Sequence, residues 1–375
     1  MQRNASINFS YYNPVNIIQT EDWYSDLKSK LDESSSLTPL IVTSKGGISR
    51  LGLQEKFEQD SIFVLNTSNP TFEDCENIIK FCENKKFDSL VAIGGGSVMD
   101  LSKLAKAHIC SDLSEVETLL KKKAEFKRNI KYFCIPTTHG TASEVTMWGT
   151  IWNINEKKKY SISDPFLYPD FALLDAGLTL TLPLDISIMT TMDALSHAFE
   201  SIWNKNSNPI STNHALKAIK IIIEYAQLLK DNPNDINIRK NLLIASSISG
   251  LAFSNTATAA AHSISYPLTL NFDIPHGIAS SITLVQMLDI NKKMIPKEID
   301  IICKQLGKTY DELKKSISKI PEGIYKNDLE SWNVDYNDLD MLSEQSFTKG
   351  RMDNNIVDLS RKDVKFILEK VLVKN

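Results

Sequence analysis

Ser89-Leu-Val-Ala-Ile-Gly-Gly-Gly-Ser-Val-Met-Asp-Leu-Ser-Lys103 decides how the first half of this chain folds. Residues 90–93 are apolar at both odd and even positions, so a strand built from them must be covered on both faces. Three glycines follow, and a helical pattern begins at once with Val-Met-Asp-Leu-Ser-Lys-Leu-Ala-Lys-Ala. Strand, glycine turn and helix in direct succession form the unit from which open parallel sheets are assembled. Working outward, Pro39-Leu-Ile-Val-Thr43 and Ser61-Ile-Phe-Val-Leu65 are two earlier strands of the same kind. Thr71-x-x-Asp74 is a capping box that opens a helix with Ile78, Ile79 and Cys82 on one side. Tyr132-Phe-Cys-Ile135 and Phe171-Ala-Leu-Leu174 add two later strands. The alternation predicts an α/β domain with a largely parallel sheet.

From Pro183 the texture changes, and helical periodicity dominates over 188–203, 212–229, 236–253 and 255–267. A domain boundary near 182 follows, with an α/β domain over 1–182 and an all-α domain over 183–375. The polar, lysine-rich segment 308–352 is expected as surface helices and loops. Ser360-Arg-Lys-Asp363 caps a last amphipathic helix.

At 375 residues two domains are the default, and a formal charge of -4 with no basic block leaves nucleic-acid binding without an electrostatic footprint. The first nine residues hold no apolar leader core, and no apolar run has membrane-spanning length, so a cytoplasmic chain without a membrane partner is expected. The five cysteines show no Cys-x-x-Cys spacing and are expected as buried, reduced thiols.

The residues with chemistry lie in the second half. Asp193 and His197 stand four apart in Asp-Ala-Leu-Ser-His, on one helical face. His262 ends the run Ala-Thr-Ala-Ala-Ala-His, and His276 sits between Pro275 and Gly277 at a turn into another helix. One carboxylate and three imidazoles can converge on a divalent cation; satisfied core histidines are the plainer alternative for each one singly. In the first half, the glycine turn ahead of a helix N-terminus suits a pyrophosphate, or is simply a tight turn. Asp100 is misplaced for a phosphate and is expected to bond a ribose, a nicotinamide or backbone N–H groups. Pro136-Thr-Thr-His-Gly-Thr-Ala-Ser-Glu-Val-Thr146 can bond a polar ligand, or can spend its hydroxyls on local turns.

Taken in order, Asn69-Pro70-Thr71, Gly94-Gly-Gly-Ser97 with Asp100 and Lys103, Pro136-Thr-Thr…Ser143-Glu-Val-Thr146, Asp175, Asp193…His197, His262 and Pro275-His-Gly277 resemble the iron-containing (group III) alcohol dehydrogenases. The resemblance covers nearly the whole chain. It implies a dehydroquinate synthase-like two-domain fold, with a cleft holding NAD(P) and Fe²⁺. It implies Asp193, His197, His262 and His276 as metal ligands. Gly95, Gly96 and Ser97 would hold the pyrophosphate, Thr137, Thr138 and Ser143 would line the adenine and nicotinamide ends, Lys159 would lie near the cofactor, and Asn69, Gly94, Asp100 and Thr141 are further cofactor-binding candidates. It also implies small aldehyde or alcohol substrates and a homodimer or higher homo-oligomer. Ligands of this kind also suit Zn²⁺.

The departures from the family are informative. Where many members carry a second histidine four residues after the third ligand, this chain has Tyr266, a candidate proton relay. His139 stands where alanine is usual and is a candidate to supply a cationic N–H to an anionic substrate, with Lys159 and Arg351, in Gly350-Arg-Met-Asp-Asn-Asn355, as further candidates; His139 packing against the cofactor and Arg351 capping a helix are the plainer alternatives. Ser44 stands where NAD-preferring members carry aspartate, so NADPH is expected to be accepted. Glu200-Ser-Ile-Trp-Asn204, Asn208-Pro-Ile-Ser211 and His262-Ser-Ile-Ser-Tyr-Pro-Leu268 most resemble the phosphonoacetaldehyde reductase branch. Dehydroquinate synthase-like lyases are the rival, and they need cationic residues near the ligands. None occurs in 190–203 or 257–273.

Overall fold

Among the described residues there are eight strands: β1 (Asn16–Thr20), β2 (Pro39–Ser44), β3 (Ile62–Leu65), β4 (Ser89–Gly94), β5 (Lys131–Pro136), β6 (Trp148–Asn153), β7 (Lys158–Ser163) and β8 (Phe171–Asp175). The computed structural model describes residues 8–111, 113–121, 124–156 and 158–373. Residues 1–7, the start of the stretch read for a leader, lie outside them. Six strands form one sheet in the order β1-β8-β5-β4-β2-β3, and every pairing in it is parallel. Because β4 is apolar throughout, alternate residues feed two cores. Leu40, Val42, Leu90, Ala92 and Cys134 face Ile78, Ile79, Leu101 and Leu104 on one side. Ile41, Val91, Ile93, Phe133 and Leu173 face Trp23, Leu27 and Leu31 on the other. All strands being parallel, Ser44, Gly94 and Pro136 end on the same edge of the sheet, where such sheets bind ligands.

Three of these strands lie outside the apolar runs read from the sequence. β1 is a partly exposed edge strand, and β6 with β7 forms an antiparallel hairpin outside the main sheet. The hairpin packs so closely on the Gly96–Cys110 helix that a Cβ on Gly149 would lie 2.7 Å from the Asp100 carbonyl oxygen. The expected capping boxes are present at Thr71/Asp74 and Ser360/Asp363. Four cysteines are buried, whereas Cys303 is half-buried on the amphipathic Pro296–Leu306 helix.

The chain divides into two compact units. One holds residues 13–138 and 142–179, hence the whole sheet and the hairpin. The other holds 8–12, 139–141 and 180–373 of the described residues. In this helical unit Leu184–Ile202, Pro209–Asp231 and Ile236–Thr256 pack around Leu195, Phe199, Ile219, Ile222 and Leu242. A continuous helix over 255–267 does not form. The preceding helix runs on to Thr256, Ala257 takes φ +60°, and a new helix spans Ala260–Phe272 at 103° to the last. Asn204 Nδ2 holds the break by donating to the Ala257 carbonyl at 3.1 Å. Pro267 lies inside the second helix instead of ending it. The segment 308–352 contributes more than surface, since Leu313, Ile317, Leu339 and Leu342 are buried in the core. Among the described residues no single helix is long and apolar enough to cross a membrane.

Candidate functional site

The Leu184–Ile202 helix places Asp193, His197 and Glu200 at i, i+4 and i+7, on one face, and all three are buried. The break at Ala257 turns the next helix so that His262, in its first turn, meets that face. His276 opens the short helix His276–Ala279 and comes from a third direction. Its approach depends on Gly277, where a Cβ would lie 2.6 Å from the Met189 carbonyl oxygen.

Among the described residues, Asp193, His262 and His276 are the group whose potential ligand atoms all lie within 4.8 Å of one another. Asp193 Oδ1 is 3.4 Å from His262 Nε2 and 3.9 Å from His276 Nε2. Ligand atoms about 2.0–2.2 Å from one ion stand about 3–3.5 Å apart, so the spacing fits a metal with little adjustment. His262 Nε2 is buried and makes no hydrogen bond, as a donor atom reserved for a metal does. His197 is not within this set. Its ring stacks between Phe253 at 4.1 Å and His262 at 4.4 Å, with Nδ1 buried and unbonded.

Glu200 is the residue the sequence reading passed over. Its carboxylate accepts from His262 Nδ1 at 2.6 Å and from the His262 backbone N–H at 3.1 Å. Ala259, the residue before the helix, has no capping side chain, so Glu200 takes that role from a distance. Ser280 Oγ likewise donates to Asp193 Oδ1 at 2.7 Å. Burial alone would raise the Asp193 carboxyl, but His197, His276 and His262 outweigh it and hold it well below the usual range. Burial lowers His197 to about 4. For His262 burial works the same way, yet Glu200 and Asp193 reverse it and raise it to about 10. Two carboxylates thus compensate positive charge at His262, whether proton or metal.

Tyr266 lies one turn beyond His262 on the same helix and is buried. The loop carrying Arg351 docks at the start of that helix: Asn354 Nδ2 donates to the Thr258 carbonyl at 2.9 Å, and Thr348 N–H to Ser263 Oγ at 3.1 Å. Arg351 Nη1 itself bonds the Gly350 carbonyl at 2.8 Å. His139 departs from expectation. It is fully buried, neither ring nitrogen has a hydrogen-bond partner, and burial, reinforced by Arg239, lowers its pKa to about 3. A cationic N–H is therefore not available from it near neutral pH.

On the sheet edge, Gly94, Gly95 and Gly96 join β4 to the Gly96–Cys110 helix, whose N-terminus has no side-chain cap. Gly94 has no room for a side chain, since a Cβ would lie 2.6 Å from Val98. Thr137 N–H bonds the Gly94 carbonyl at 3.0 Å, setting the threonines Thr137 and Thr138 beside the turn. Asn69 is half-buried just after β3. Ser44 ends β2 and accepts from Gly47 N–H at 3.2 Å, with Lys45 exposed next to it. Three of the expected cofactor residues, Ser97, Asp100 and Ser143, have hydrogen-bond partners within the protein. Ser97 donates its hydroxyl to the Ser68 carbonyl. Asp100 accepts from Ser143 Oγ at 2.7 Å and from Thr150 N–H at 2.9 Å. Buried Lys103 donates to Ser143 Oγ at 2.6 Å and to the Trp148 carbonyl at 2.7 Å. Asp100 and Ser143 thus brace the loop after β5, and of the partners expected for Asp100 it is the backbone N–H that is seen. Lys159 lies on the hairpin over the Trp152 ring, 5.6 Å from its centre. Thr141, half-buried, falls with His139 in the piece that groups with the helical unit.

Residues 14–176 match the family described as iron-containing alcohol dehydrogenase, and 187–372 match the C-terminal part of the Fe-containing alcohol dehydrogenase family. The chain belongs to the iron-containing alcohol dehydrogenase family. It is thereby an oxidoreductase of the alcohol–aldehyde class. Among its relatives is the 4-hydroxybutyrate dehydrogenase of Clostridium kluyveri, 27% identical over 83% of this chain and 86% of that one. The NADPH-dependent butanol dehydrogenase of Clostridium saccharobutylicum is 29% identical over 76% of each. Among solved structures, the sulfoacetaldehyde reductase of Bifidobacterium kashiwanohense in complex with NAD⁺ superposes with a TM-score of 0.91, at 26% identity, over 99% of this chain and all of that one. The two-domain iron-containing dehydrogenase fold expected from the sequence is the fold found.

Proposed function

We propose that this protein is a metal-dependent, NAD(P)H-linked reductase of small aldehydes, working best on aldehydes with an anionic end such as phosphonoacetaldehyde. The observation that carries the reading is the donor group of buried Asp193 and His262 with half-buried His276. Fe²⁺ is the ion first expected there, with Zn²⁺ able to use the same donors. When bound, the ion supplies Lewis acidity toward a carbonyl oxygen, and the nicotinamide supplies the hydride.

The chain's own residues do the rest. Asp193 is kept ionised by His197, His276 and His262 and oriented by Ser280, and so holds negative charge where a cation needs it. The Gly94–Gly96 turn and the uncapped helix behind it offer backbone N–H groups to a pyrophosphate. Ser44 with exposed Lys45 tolerates a 2′-phosphate, which an aspartate there would repel, so NADPH is accepted. Tyr266, next along the His262 helix, moves a proton between the substrate oxygen and solvent. Arg351, on the loop docked at the start of that helix, faces the anionic end, a role for which its planar fork suits it. The sulfoacetaldehyde reductase likeness supports a strongly anionic C2 aldehyde, sulfonate and phosphonate being similar in shape and charge.

Purified, metal-loaded protein assayed with NADPH and NADH against phosphonoacetaldehyde, sulfoacetaldehyde and propanal tests this. The expected result is a kcat/KM for one anionic aldehyde at least ~10-fold above propanal, with Arg351→Ala raising KM for that aldehyde ~10-fold and leaving propanal nearly unchanged. Equal efficiency on propanal would leave a general small-aldehyde reductase.

A further inference from the structure

We infer that Glu200 is a positioning residue for the metal site, fixing His262 so that Nε2, and not Nδ1, meets the ion. The inference rests on the metal-dependent reading above. A carboxylate buried at zero exposure is costly unless its oxygens are used, and both are used on one residue. Oε2 takes the ring at Nδ1, 2.6 Å away, and Oε1 takes the backbone N–H, 3.1 Å away. Two bonds from one rigid group fix the first turn of the Ala260–Phe272 helix and the ring angle together. Because an ionised carboxylate can only accept, Nδ1 must keep its hydrogen, so the proton that an incoming metal displaces is the one on Nε2, and the lone pair appears there. That atom faces Asp193 Oδ1 at 3.4 Å and makes no hydrogen bond. A helix cap alone needs only a hydroxyl or an amide. Setting the tautomer needs an acceptor that cannot donate, which is what Glu supplies and Gln does not.

Glu200→Gln reverses this logic at nearly constant shape: the amide oxygen still takes the backbone N–H, but the NH₂ then faces Nδ1 and favours hydrogen on Nε2. Zn²⁺ is the probe, titrated into metal-free protein against a chromophoric chelator, with circular dichroism checking the fold. The expected result is a Kd weakened ~10- to 100-fold in Glu200→Gln. A second measurement needs no variant. In ¹⁵N-histidine-labelled wild-type protein loaded with Zn²⁺, the His262 resonances should show hydrogen on Nδ1 and metal on Nε2. A Kd within twofold of wild type in folded Glu200→Gln, or Zn²⁺ on Nδ1 in the wild-type spectrum, overturns the inference alone. Wild-type protein whose Zn²⁺ affinity is unchanged by His262→Ala overturns the metal reading beneath it.

Discussion

His139 shows how far a residue's chemistry depends on where the chain puts it. In the sequence it is a histidine inside a polar threonine loop, a natural cation for an anionic substrate. In the fold it is wholly buried near Arg239, and its pKa falls to about 3. The unfolded chain takes up a proton at His139 below its ordinary value of 6.5, whereas the folded protein does not until about 3. Folding stability is therefore lost as pH falls across that window, by up to about 1.4 kcal/mol per pH unit from this residue. Urea unfolding of metal-free wild type and His139→Leu at pH 7, 6 and 5 should show a shallower decline in the variant, by about one proton. Parallel declines would mean that His139 is protonated in the folded state. Asp193, His197, His262 and His276 were all named from the sequence, but the i,i+4 spacing that singled out Asp193 paired it with His197, whereas the fold brings Asp193 to His262 and His276. Glu200 was not named from it. Its own signal was a carboxylate at i+7 from Asp193 on an apolar helix, but its partner is 62 residues away and only the tertiary fold joins them.

Elements were legible where burial dictates composition. β2, β3, β4, β5 and β8 are continuous apolar runs because the sheet is covered on both faces, and each was placed to within a residue or two of its ends. β1 is a half-exposed edge, and β7, Lys-Lys-Tyr-Ser-Ile-Ser, lies in a two-stranded hairpin, so neither carries that pattern. The helix break at Ala257 and the proline tolerated at Pro267 were hidden for a related reason. Neighbouring helices hold both, and propensity is a weak guide where packing decides. Gly277 is the element-scale feature with the clearest consequence. Gly277→Ala forces the His276–Ala279 turn away from the Met189 backbone and displaces His276 with it. A loss of about 1–3 kcal/mol in urea unfolding is expected, with Zn²⁺ affinity falling in parallel. Unchanged zinc affinity in a folded variant would remove His276 from the ligand set.

At the scale of the whole molecule, the two units carry different signals in the sequence. Strand–helix alternation announces the parallel sheet, and helical periodicity after Pro183 announces the helical unit. Contact with the chain itself moves residues 139–141 into the helical unit, a regrouping no local pattern could mark. The proposed reductase needs a metal on Asp193, His262 and His276. The direct measurement is aldehyde-dependent oxidation of NADPH, followed at the nicotinamide absorbance, in protein stripped with a chelator and then restored under anaerobic conditions. Stripped wild type should lose at least ~99% of its activity, regain it with Fe²⁺, and show about one metal per chain, whereas His262→Ala should regain neither metal nor activity. Full aldehyde reduction by metal-free protein, or by His262→Ala, would contradict the account.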